Sequence, residues 1–181
     1  MLASLYDGEN PVGWWMSEKY DGVRAIWDGK RLFSRNGNTF TPPEWFLNSF
    51  PKDTPLDGEL YMGRGTLRRM SGLLKKKDQT TGWENVRFMV FDSPGSEPFE
   101  IRKDRAIRSV QRCKVIEMVP SLVVENERML YEFLEDVVAG AGEGVILRAA
   151  GSMYEESRSK NLLKVFPFGH DFNDCFRRDY E

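Results

Sequence analysis

Lys19-Tyr20-Asp21-Gly22 sets a lysine beside an acidic turn. A lysine amine attacks electrophiles only when unprotonated. Bringing its pKa from ~10.4 to ~7.5 takes about 4 kcal/mol of differential interaction, which burial and nearby cations can supply. Further along the chain come Arg24, Ser34-Arg35-Asn36-Gly37, Asp57-Gly58-Glu59, Phe91-Asp92, Glu143-Gly144 and Lys164. Guanidinium groups offer forked donors to phosphate, carboxylates suit hard cations, and a phenyl face stacks on flat rings. Each motif alone has an ordinary explanation: a lysine by a turn, a plain turn, a charged loop before a strand, a core aromatic, a helix-to-strand link, a solvated strand lysine. A K-x-D-G match by itself arises by chance in on the order of a few per cent of chains this long.

The elements that must position these residues are short. Residues 14–19 and 23–27 have strand character, and Asp28-Gly29 supplies a two-residue hairpin signal. Residues 30–34 form the expected return strand, with Asn36-Gly37 as a second turn, and 43–50 predict a short helix with proline tolerated in its first turn. LDGELY, VRFMVF, residues 114–119, EGVILR and NLLKVF read as further strands. Residues 100–114 read as a charged helix. Over residues 125–138, Met129, Leu130, Phe133, Leu134, Val137 and Val138 recur at the spacing of three and four that marks an amphipathic helix. Strands outnumber helices and the two are interspersed, so the expected class is α+β with mainly antiparallel sheets flanked by helices.

Composition narrows the function. A chain of 181 residues can bury a core without staples, and its 40% hydrophobic and 30% charged content is that of a globular protein. Cys113 and Cys175 lie far apart and form no CxxC, which points to two reduced thiols in an intracellular protein, with one structural disulfide as the alternative. No apolar run approaches the ~20 residues of a membrane span, and the N-terminus lacks the basic and apolar regions of a secretory signal. The net charge of −2 excludes binding to nucleic acid by overall charge. Any such contact must come from parts outside this chain or from local patches such as Arg64, Arg68, Arg69 and Lys75 to Lys77, which read equally as a solvated helix face.

The order of the motifs is the strongest signal. KYDGVR, SRNG, DGELYMGRG, FMVFD, EGVILR and LLKV follow one another between Lys19 and Val165. This series resembles the covalent nucleotidyltransferases, which include ATP-dependent DNA ligases, RNA ligases and mRNA capping enzymes. WWMSEKYDGVRAIWDGKRLFSRNGN, followed by PPEWF and LDGELYMGRG, looks specifically like small ATP-dependent DNA ligases, whose adenylation domain is ATP-grasp-like. The resemblance spans roughly residues 1–166, with 167–181 as a tail. It implies nick sealing in DNA repair, replication or recombination, with ATP and Mg2+ as cofactors and nicked double-stranded DNA as partner. By the same resemblance Lys19 is the nucleophile that takes AMP. Arg24 holds nucleotide phosphate or ribose, Glu59 the ribose hydroxyls, Phe91 the adenine face, Glu143 the divalent metal and Lys164 the α-phosphate. Ser17 reaches the adenine edge, and Arg35 and Arg158 contact the 5′-phosphate of the nick. His170 lies beyond the last motif and is expected to be an exposed tail residue.

The sequence departs from that family in two places. The last motif is usually lysine, any residue, lysine, and here it reads Lys164-Val165-Phe166. Phe166 cannot neutralise phosphate, so AMP transfer to Lys19 is expected to slow unless another cation, with Lys160 as a conceivable stand-in, substitutes. The resemblance also implies a following OB-fold, which residues 167–181 cannot build. The expectation is a monomer that is either a piece whose OB-fold is supplied elsewhere or a natural protein that lacks the domain. Nucleotide choice is not set by spacing, so RNA ligation or GTP-dependent capping is one alternative. A nucleic-acid-binding relic without chemistry is the other.

Overall fold

The structure, a computed structural model, describes residues 1–76 and 81–167. Lys77, His170, Cys175 and nearly all of the tail lie outside the described residues. Along the chain the strands are β1 (Leu2–Leu5), β2 (Trp15–Lys19), β3 (Val23–Trp27), β4 (Leu32–Ser34), β5 (Leu56–Tyr61), β6 (Arg87–Asp92), β7 (Ile116–Met118), β8 (Ser121–Val123), β9 (Gly144–Arg148) and β10 (Arg158–Val165). The helices are α1 (Glu44–Leu47), α2 (Leu67–Leu74), α3 (Phe99–Val110) and α4 (Glu127–Ala139).

These strands form two five-stranded sheets, ordered β1-β10-β9-β2-β8 and β4-β3-β5-β6-β7. Pairing is mainly antiparallel, as expected for α+β, with parallel exceptions at β1–β10 and β6–β7. Each sheet has its own core. The first packs Met16, Val145, Leu147 and Leu163 against Leu130, Leu134 and Val137 of α4. The apolar stripe of α4 thus meets the sheet, and Asn126 caps its start by accepting from the Met129 N–H at 3.0 Å. The second core is aromatic. Phe46 and Trp83 approach edge to face at 4.8 Å, and Phe50 stacks on Phe88 at 5.3 Å. Residues Ala106 and Val110 of α3 and Met70 and Leu73 of α2 close it.

Several elements differ in extent from the sequence reading. The return strand expected over 30–34 is limited to Leu32–Ser34. The Asp28 carboxylate accepts from the Lys30 and Arg31 N–H groups at 2.8 and 2.7 Å, which holds both residues in the turn. The helix expected over 43–50 is a single turn, Glu44–Leu47. Strands β1 and β8 carry no alternation long enough to announce them, and they form because a neighbouring strand is available to pair. Among the described residues, no helix is long and apolar enough to cross a membrane.

Candidate active site

Strand β2 sits next to β9, so its side chains meet those of the EGVILR strand in register: Ser17 lies opposite Ile146, and Lys19 opposite Gly144. Ser17 also faces Ser121 on β8, and Ile146 faces Lys164 on β10. Ser121, Ser17, Ile146 and Lys164 therefore make one row across the first sheet, and all four line a cavity of about 240 Å³. Across the second sheet Arg24 on β3 pairs with Glu59 on β5, and Phe91 lies on β6. These three line the same cavity, as do Arg35 and Arg158, both exposed. Of the nine residues given roles by the resemblance, Glu143 alone is not in the wall. It joins the site through a 2.7 Å ion pair from its carboxylate to the Lys19 ammonium. Close packing sets the glycine between them: a Cβ on Gly144 would lie 2.4 Å from the Val165 carbonyl oxygen.

The charges are arranged unequally. Arg24 makes a forked pair with Asp57, at 3.0 and 2.6 Å, and also donates to the Met1 carbonyl. Burial works against its charge, but the Asp57 carboxylate outweighs that and holds the Arg24 pKa above its ordinary value. In this state Arg24 is committed to Asp57, where the resemblance had it holding nucleotide. Tyr154 donates to the same carboxylate at 2.8 Å. Glu59 has one edge on the cavity and protein elsewhere. Burial pushes its carboxyl up to about 8, with Lys19 and Arg24 pulling the other way and Glu143 and Asp57 adding to the rise. Phe91 lies 5.7 Å below the Arg24 guanidinium.

Phe166 occupies the ground between the two lysines. Its ring is 5.9 Å from the Lys19 ammonium and 5.5 Å from that of Lys164. Lys160 is exposed and does not line the cavity, so it does not stand in for the missing cation. The basic cluster also divides. Arg64 precedes α2 and pairs with Glu18 through both nitrogens of its fork, at 3.1 and 2.9 Å. Arg68, Arg69, Lys75 and Lys76 are exposed along and just after α2. Cys113 is a free thiol, and burial raises its pKa, which disfavours reactivity.

Sequence reasoning missed Tyr154, Arg148 and Ile146 as site neighbours. Arg148 is buried, lines the cavity and pairs with Asp92 at 3.0 Å. It closes the EGVILR motif, which was a signal; Tyr154 sits in a loop with none. Among the described residues no group of three or more acidic, histidine or cysteine side chains gathers as a metal site. Glu143 fits a Mg2+ ion nonetheless, because Mg2+ takes as few as one carboxylate and completes its shell with water and substrate phosphate.

A lysine beside a carboxylate thus opens on a cavity between two sheets that also presents arginine, glutamate and an aromatic wall. Residues 1–165 match the ATP dependent DNA ligase domain, and the chain belongs to that family. A DNA ligase of Haemophilus influenzae is 37% identical over 168 residues, covering 91% of this chain and 62% of the relative. The chain thus spans about three fifths of that relative's length. Among solved structures, one from a study of DNA binding by Lig E DNA ligases with a minimal scaffold superposes with a TM-score of 0.84 at 33% identity, covering 92% of this chain and 68% of the other. A Chlorella virus DNA ligase–adenylate shares the fold at 18% identity, with a TM-score of 0.78 over 92% of this chain and 66% of that one.

Proposed function

We propose that this chain is the adenylating core of an ATP-dependent DNA ligase, with Lys19 as the nucleophile. The observation that carries the reading is the Lys19–Glu143 pair at 2.7 Å beside a cavity walled by Arg24, Glu59, Phe91 and Lys164. The Lys19 nitrogen attacks the α-phosphorus of ATP. A nitrogen–phosphorus bond forms, the α–β phosphoanhydride bond breaks, and pyrophosphate leaves. AMP then passes to the 5′-phosphate of a nick, and the 3′-hydroxyl displaces it.

The residues divide this work by charge. Attack needs the Lys19 amine unprotonated, so its contact with Glu143 is a resting pair that opens before chemistry. Lys164 neutralises charge that builds on the α-phosphate. Phe91 presents a flat face to adenine, and Ser17 is within the same row for its edge. Glu59, protonated at neutral pH, both donates to and accepts from ribose hydroxyls. Arg24 is held upright by Asp57 at the ribose side. Arg35 and Arg158, exposed at the cavity, are the cations for the nick phosphate. Glu143 is the residue that would hold Mg2+, which when bound offsets phosphate charge. The support for DNA as substrate is the family and the exposed Arg68, Arg69, Lys75 and Lys76 flank, a sequence-independent contact by type.

The test is covalent labelling. Purified chain incubated with α-labelled ATP and Mg2+ and then denatured should carry label, and Lys19→Ala should carry none. Label that persists in Lys19→Ala, or a folded wild-type chain with no label, sinks the proposal. Labelled chain mixed with nicked duplex then tests transfer to DNA.

A further inference from the structure

The geometry points to Arg64 as a positioning residue: it clasps the two sheets together so that Lys19 and Glu143 meet. This inference rests on the reading of the site as an adenylating centre. Arg64 lies in the turn between β5 of the second sheet and α2. Its guanidinium crosses to the first sheet, where it makes the forked pair with Glu18, at 3.1 and 2.9 Å, and donates to the Gly140 carbonyl at 2.5 Å. Glu18 is the residue before the nucleophile. Gly140 ends α4 and begins the three-residue turn that delivers Glu143. One side chain thereby fixes both segments that carry the reacting pair, from the opposite sheet. The third donor also sits at the carbonyl end of α4, where a cation complements the helix dipole.

The start of the turn lies against this clasp. A Cβ on Gly140 would lie 2.1 Å from an Arg64 guanidinium nitrogen, whereas one on Gly142 would first meet Val137 of α4, at 2.5 Å from its side chain and 2.8 Å from its carbonyl oxygen. Gly140 has φ −81 and ψ 11, a conformation open to any residue. A side chain there would therefore move the guanidinium and leave the backbone unstrained. An isolated exposed ion pair contributes little to stability. A fork with a third anchor fixes geometry, and small misplacement of reacting groups lowers rate far more than it lowers stability.

Single-turnover formation of lysyl-AMP separates these effects, using wild type, Arg64→Ala, Gly140→Ala and the double variant. At saturating ATP each single variant should form the adduct about tenfold more slowly than wild type. The final labelled fraction should not change, and the ATP concentration giving half the maximal rate should stay within about twofold. The double variant should be no slower than Arg64→Ala, because Gly140→Ala has nothing left to displace. Three outcomes overturn the clasp alone while wild type labels normally: either single variant within about twofold of the wild-type rate, a double variant slowed by the product of both factors, or a loss in labelled fraction and not in rate. A wild-type chain that takes no label overturns the reading of the site and the clasp with it.

Discussion

At the scale of single residues, Glu59 is the group whose chemistry the fold alters most. An exposed glutamate titrates near ~4.3, whereas burial pushes Glu59 up to about 8. The folded chain therefore keeps a proton that the unfolded chain has released across that interval. Its contribution to stability is fully present below ~4.3 and is lost as pH climbs through about 8. Glu59→Gln removes this slope. It should leave urea midpoints unchanged near pH 4 and stabilise the chain by roughly 1–3 kcal/mol at pH 8. Equal midpoints for variant and wild type at both pH values would refute the neutral carboxyl. Glu59 was legible as a site residue from DGELY, but its protonation state was not, because burial depends on the strands packed around it.

At the scale of elements, the decisive feature is the passage from β2 to β3, where the chain leaves one sheet and enters the other. Lys19 ends the first strand and Val23 begins the second. Between them, a Cβ on Gly22 would lie 2.3 Å from the Leu60 carbonyl oxygen and 2.8 Å from the Glu59 side chain. The glycine of Lys19-Tyr20-Asp21-Gly22 is thus required by close approach to β5. Gly22→Ala should cost roughly 1–3 kcal/mol of stability and slow labelling of Lys19 by shifting Glu59. Urea denaturation beside the labelling assay measures both, and a wild-type midpoint would show that the strands can part. The amphipathic helix α4 was readable from its spacing alone. The edge strands β1 and β8 were not, since three or four residues hold no period and form only because a partner strand lies alongside.

At the scale of the molecule, the two sheets are joined by buried charge as well as by the Arg64 clasp. Asp92 of β6 receives both nitrogens of a fully buried Arg102, at 2.8 and 3.1 Å, and Arg148 of β9 at 3.0 Å. Burial lowers the Arg148 pKa, and the Asp92 charge opposes that fall. Tyr154, in the loop between β9 and β10, reaches Asp57 of the second sheet. Removing Asp92 leaves two buried guanidiniums without their paired counter-charge. Asp92→Ala should lose about 3–5 kcal/mol, read as a lower thermal or urea midpoint. A loss within ~1 kcal/mol would mean that water or the backbone satisfies both arginines.

The sequence by itself determined the family, the order of its motifs and the proposal of Lys19 as nucleophile, because a strand-borne Lys19, a DGE run on β5 and an EG step into β9 each need particular residue types at particular places. It also determined the departure at Phe166, whose identity no fold can change. Only the tertiary structure decided which charges are spent on one another. Arg24 is held by Asp57, Arg64 by Glu18 and Arg148 by Asp92, while Phe166 fills the space between Lys19 and Lys164. Those pairings join residues tens of positions apart, and spacing along a chain carries no record of distance across a cavity.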